Sequence, residues 1–102
     1  MNDPLIQVIG TIVVVQPPSV DIHGSQYVQK IIISNTMAVN NVINVPDRIL
    51  VITKSTGVIP FKVNDPITVM GFFSRQFSGE LSYMYGVHAP QGYLRYSGRI
   101  FR

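Results

Sequence analysis

The first apolar run, LIQVIGTIVVVQ at residues 5–16, is rich in Ile and Val and contains a single glycine, Gly10. β-Branched residues favour strands, and an isolated glycine inside a strand often marks a bulge or the bend at a barrel corner. Pro17 and Pro18 end the run, because proline cannot donate to the hydrogen bonding of a central strand. The stretch therefore predicts a long first strand that bends near Gly10.

Runs of similar composition continue to the end of the chain, separated by Pro, Gly, Asn and Asp. The loop after the first strand, residues 19–25, has its predicted turn at His23 and Gly24. Gly57 and Pro60 interrupt the segment 54–64 too strongly for a helix, and no other window has a helical period. The remaining predicted strands occupy residues 26–35, 48–53, 67–74, 81–89 and 93–101.

The order of these strands favours a small antiparallel barrel, since the connections leave no room for crossover helices. A long bent strand, a loop, two further strands, a connection and a final hairpin match the five-stranded OB-fold, a Greek-key barrel. We predict one all-β domain over residues 1–102, with an extra strand-like segment at 93–101. In an OB-fold the second and third strands, with the first-to-second and fourth-to-fifth loops, form the ligand face.

Composition excludes several classes of protein. The chain is 46% hydrophobic and 13% charged with a net charge of +3, against a typical charged share of about 25%. So much Ile and Val with so little charge argues against disorder, and the absence of Cys excludes a disulfide scaffold. The modest positive charge suits a weakly cationic groove.

The residues give no sign of catalysis. His23 and His88 are isolated from other metal ligands, and Asp21, Asp47 and Asp65 stand where turns are predicted. We therefore expect no enzyme activity, no metal and no cofactor. The start of the chain lacks the pattern of a signal peptide, and its apolar runs are far shorter than the roughly 20 residues of a membrane helix, which predicts a cytoplasmic protein without membrane contact.

A protein that binds single-stranded nucleic acid without sequence preference needs cations to contact phosphates and aromatic side chains on which bases can stack. The predicted hairpin between the fourth and fifth strands combines both, with Arg75 and Phe77 at its tip and Tyr83 and Tyr85 on one face of the fifth strand. The same aromatic residues could instead pack in a core or against a second subunit, because strand aromatics commonly form packing pairs.

Two other segments carry candidate residues. Tyr27 and Lys30 are three residues apart, so only one of them can face the groove unless the strand is bulged. Arg95 and Arg99 alternate with aromatic residues in the last segment, which fits either a binding surface or a charged edge strand. The full set of candidate nucleic-acid-binding residues is Tyr27, Lys30, Arg48, Lys54, Phe72, Arg75, Phe77, Tyr83, Tyr85, Arg95 and Arg99.

The segment VNDPITVMGFFSR at residues 63–75 resembles the fourth strand of bacterial single-stranded DNA-binding proteins. Residues 8–12 are similar to the opening strand of that family with its glycine, and residues 27–35 to its second strand. Together the resemblance covers about residues 5 to 89 and extends to short members of the type of primosomal replication protein B. The chain departs from the family by having no Trp and by ending in Arg99-Ile100-Phe101-Arg102 rather than in an acidic tail.

The resemblance implies binding of single-stranded DNA without strong sequence specificity, protecting replication or repair intermediates, with replication or repair proteins as further partners. The alternative is a protein-interaction or assembly OB module, or an RNA-binding OB-fold, with no role on single-stranded DNA. The predicted strand 81–89 is apolar or aromatic on both faces, so we expect a homodimer or homotetramer.

Overall fold

The computed structural model describes residues 5–21, 23–39 and 44–74 and the backbone of residues 93–101. These residues form strands and connecting loops, and no α-helix occurs among them. The strands are β1 (Leu5–Val15), β2 (Ser19–Val20), β3 (Tyr27–Ala38), β4 (Ile49–Ser55), β5 (Pro66–Ser74) and β6 (Tyr93–Phe101). Within the described ranges no helix is long and apolar enough to cross a membrane.

The strands form one curled sheet in the order β1-β5-β6-β4-β3-β2. Because β1 also pairs with β3, the five strands β1, β3, β4, β6 and β5 close on themselves, and β2 is added beside β3. All neighbouring strands are antiparallel except β4 and β6, which are parallel. The prediction of an all-β, OB-like barrel of five strands is confirmed.

The strand that closes the barrel is the C-terminal one. β6 pairs in parallel with β4 and antiparallel with β5. The sequence predicted the fifth barrel strand at residues 81–89 and an additional segment at 93–101. Residues 81–89 lie outside the described residues, and the segment 93–101 is itself a barrel strand.

The core lies inside the barrel and is built from alternate residues of the strands. Gly10 of β1 lies where the register between β1 and β3 shifts, as the sequence predicted. A Cβ atom at this position would lie 3.1 Å from the Ser34 carbonyl oxygen and 3.2 Å from Cδ1 of Ile33. The glycine therefore permits close approach of the two strands at the bend. The buried core residues are Ile6, Val8, Ile12, Ile31, Ile33, Ile49, Val51, Ile67, Val69 and Phe73.

One end of the barrel is closed by the connection between β4 and β5, which contains no helix, as predicted. Phe61 of this connection packs against the core. Gln29 of β3 is 2% exposed, donates from Nε2 to the Ile59 carbonyl (2.9 Å) and accepts from the Ile59 amide (2.7 Å). Both the nitrogen and the oxygen of this buried amide are thus hydrogen-bonded to the connection, which holds it against the barrel.

Asp47 holds the far end of β3. Asn35 has a left-handed backbone (φ 55°), and its amide donates to Oδ1 of Asp47 at 3.0 Å. The Ser34 hydroxyl donates to Oδ2 at 3.3 Å. The sequence predicted that this carboxylate would bond the backbone of its own turn, whereas the structure joins it to β3, 12 and 13 residues earlier in the chain.

Candidate nucleic-acid interface

The outer face of β3 and β4 carries Lys30 and Ile52. Gln29 and Ile31 of β3 are buried on the inner face, so Lys30 between them lies on the outer face. Lys30 pairs directly with Ile52 of β4, and both side chains are partly exposed. A cation and an apolar side chain therefore stand next to each other on the strands that form the ligand face of an OB-fold.

The register continues this pair into a row across four strands. Ile52 is paired with Arg95 of β6, and Arg95 is paired in turn with Phe72 of β5. Phe72 is 41% exposed. Neighbouring strands are about 4.8 Å apart. The backbone of Arg95 is therefore two strand spacings from that of Lys30 and one from that of Phe72. We call Lys30, Ile52, Arg95 and Phe72 the cross-strand row.

Lys54 lies beside this row. It is two residues after Ile52 on the same face of β4 and diagonal to Lys30 across the ladder. Its ammonium nitrogen is 3.7 Å from Oδ2 of Asp21, in the hairpin formed by β2 and β3. The side chain of Lys54 is 30% exposed, whereas that of Asp21 is 10% exposed.

Asp21 organises the turn of this hairpin. Its Oδ1 accepts hydrogen bonds from the amides of His23 and Ser25, both at 3.1 Å, and its carbonyl accepts from the Gly24 amide at 2.9 Å. Gly24 has φ +69°, which glycine adopts without strain and which the predicted turn at His23 and Gly24 requires.

The electrostatics of the hairpin favour the carboxylate form of Asp21. Partial burial raises the pKa of this carboxyl, but the amides of Ser25 and His23 and the ammonium of Lys54 outweigh it, so the pKa lies below its ordinary value. Asp21 is therefore negatively charged at neutral pH, and its carboxylate forms an ion pair with the ammonium of Lys54.

Part of the outer face is closed. Ile32 and Leu50 are paired with each other and alternate with core residues, yet both are fully buried and lie outside the main core cluster. The accessible part of the β3–β4 face is therefore the end that carries Lys30, Ile52 and Lys54.

The other predicted residues lie apart from this end or outside the described part of the chain. Tyr27 is 37% exposed, and the unbroken register from Tyr27 to Ile33 places it on the opposite face from Lys30, as expected without a bulge. Arg48 precedes β4 at the end away from Lys54, with its guanidinium 3.8 Å from the Asp47 carboxylate. Arg99 is paired with Met70 in the β5–β6 ladder. Arg75, Phe77, Tyr83 and Tyr85 lie outside the described residues.

Sequence reasoning missed two members of this surface. Ile52 was assigned only to a strand, although its two-residue spacing from Lys54 already placed them on one face. Asp21 was interpreted as a turn residue, which it is, but no local pattern indicates that its second oxygen reaches Lys54. In the described ranges no three His, Cys, Asp or Glu side chains cluster as metal ligands.

Comparison of the chain with known proteins does not assign it to a family. No family model matches the chain, and no curated protein matches it significantly. The resemblance to single-stranded DNA-binding proteins remains a prediction from the sequence.

Proposed function

We propose that the protein binds single-stranded DNA without strong sequence specificity across the outer face of its OB-like barrel. The observation that carries the proposal is the cross-strand row, in which Lys30 and the register position of Arg95 alternate with Ile52 and the exposed Phe72. Sequence-tolerant binding needs this combination, because cations meet phosphates and flat or apolar surfaces meet bases.

The small net charge is compatible with such binding. Each phosphate contact contributes about −0.7 to the slope of log K against log salt for single strands. Stacking contributes about 1–3 kcal/mol per base and needs no charge. Two cationic positions and one exposed ring therefore suffice for a weak site, which gains strength if several sites act together.

The first experiment replaces single members of the row and measures binding of oligo-dT at several salt concentrations. We expect Lys30→Gln to reduce the steepness of the salt dependence by about 0.7, the value of one phosphate contact. Phe72→Leu keeps an apolar side chain and removes the aromatic ring, so we expect weaker binding, by roughly 5- to 150-fold, with the salt dependence unchanged.

Lys62→Gln is the matched control. Lys62 is exposed in the connection between β4 and β5 and does not belong to the row. Its replacement removes the same charge and should leave the slope close to that of the wild type. Equal effects of Lys30→Gln and Lys62→Gln would show that only net charge matters and would refute the row as the binding surface.

A second candidate function, assembly with another copy of the chain, is favoured by a separate observation. Leu5, Ile9 and Met37 are 53%, 39% and 58% exposed, and Ile9 and Met37 are direct partners across β1 and β3. These three exposed side chains are all apolar, so burying them against a second copy of the chain would remove apolar area from water. Sedimentation at micromolar concentration tests it: a dimer supports assembly, and a monomer refutes it.

A further inference from the structure

The ion pair between Lys54 and Asp21 places an internal anion at the edge of the proposed binding surface. Oδ2 of Asp21 is 3.7 Å from the Lys54 ammonium, and the Ser25 hydroxyl donates to the same oxygen at 3.4 Å. The carboxylate therefore already neutralises the ammonium with which a phosphate would otherwise pair.

The carboxylate is also fixed in place. Oδ1 accepts from two backbone amides of the turn, and the Asp21 amide itself donates to the Gln26 carbonyl at 2.9 Å. With 10% of its side chain exposed, Asp21 cannot rotate into solvent without breaking the turn. Among the described residues, Lys54 is the ion-pair partner of Asp21. Lys30 is the next cation on the same face of the sheet, diagonal to Lys54 across the β3–β4 ladder.

We propose that Asp21 is an internal competitor that keeps Lys54 from contributing to binding of a nucleic-acid phosphate. The inference rests on the proposed function. A phosphate contact with Lys54 would leave Asp21 without its ion-pair partner in a turn that holds it in place. Lys54 therefore stays paired with Asp21 and displaces no counterion from the DNA, whereas Lys30 adds a full contact.

The consequence is that the bound DNA contacts one side of the surface in preference to the other. Binding is directed to the row through Lys30, and the hairpin side is available only to a ligand that displaces the carboxylate. Removing the charge of Asp21 while retaining its hydrogen-bond acceptor should convert Lys54 into a working phosphate contact. Asp21→Asn does this, since the amide oxygen can still accept from His23 and Ser25.

The test is a double-mutant cycle on the salt dependence of oligo-dT binding, using the full chain. We expect Asp21→Asn to make the slope of log K against log salt steeper by about 0.7, and the double variant Asp21→Asn, Lys54→Gln to return it to the wild-type value. We expect Lys54→Gln alone to leave the slope nearly unchanged, whereas Lys30→Gln lowers its steepness by about 0.7.

Each outcome decides the question. If Lys54→Gln alone lowers the steepness as much as Lys30→Gln, Lys54 is already a phosphate contact and the inference is wrong, a result that needs no folded Asp21 variant. An unchanged slope for a folded Asp21→Asn protein, with folding checked by its thermal transition, also refutes it. Both results leave the proposed function standing. Absence of oligo-dT binding by the wild type refutes the proposed function itself.

Discussion

Replacing Gln29 by Leu tests how the barrel is closed in the absence of a helix between β4 and β5. The side chain is 2% exposed and makes two hydrogen bonds to the backbone of Ile59, at 2.9 and 2.7 Å. Leucine has a similar volume but can neither donate nor accept. The variant therefore leaves the amide of Ile59 without its partner, whereas the carbonyl keeps its hydrogen bond from the Phe61 amide at 2.9 Å.

The size of the effect follows from the Ile59 amide. A buried backbone group left without a hydrogen bond costs about 1–3 kcal/mol. Ile59 is only half-buried, so water can reach it in part, and its carbonyl keeps one donor, so we expect the lower part of this range. The loss of unfolding free energy should be about 1–2 kcal/mol, which lowers the Tm of a domain of this size by roughly 4–16 °C.

The assay is thermal and urea unfolding followed by far-UV circular dichroism. The same substitution at Gln16, which is half-buried just after β1, is the control and should change stability by less than about 0.5 kcal/mol. A Gln29→Leu protein as stable as the control would refute the view that this side chain holds the connection against the barrel.

Three further predictions concern the bend, the hairpin and the apolar surface. Gly10→Ala should destabilise the protein by about 1–3 kcal/mol in urea unfolding, because its methyl group meets Ser34 and Ile33; an unchanged midpoint would contradict this close approach. Asp21 has a lowered pKa, so its stabilising contribution is present above its unfolded pKa, about 3.8, and is lost as pH falls through the folded value. The Tm of the wild type should therefore fall towards that of Asp21→Asn on acidification below about pH 4, and a constant difference would count against the ionised carboxylate. Met37→Glu should shift a sedimenting dimer to monomer by placing like charges at the shared surface, whereas an unchanged dimer would exclude this surface.

The fold could be predicted because its signals are local. Strand composition, the bend at Gly10 and the turn at His23 and Gly24 are all visible in short windows, and their order indicated the OB-like barrel. The identity of the closing strand was not visible in this way. Pairing of β6 with β4 and β5 joins distant parts of the chain, and strand composition alone does not state which strand lies beside which.

The candidate site likewise combines residues that could be predicted locally with pairings that depend on distant parts of the chain. Lys30 and Phe72 could be selected by residue type, but the row that connects them through Arg95 depends on register between strands far apart in sequence. Alternation correctly separated Tyr27 from Lys30, because it needs only the two-residue period of one strand. The pairing of Asp21 with Lys54 could not be predicted, since it depends on how the hairpin folds back beside β4.

The most direct test of single-strand binding is the affinity of the wild-type protein for oligo-dT and for a duplex of matched length, each measured over a range of salt. We predict tighter binding of the single strand, with log K falling against log salt at a slope of about −1.4, as expected for two phosphate contacts. A slope near zero, or equal affinity for the duplex, would contradict the proposal that cations and exposed apolar faces of the cross-strand row hold a single strand.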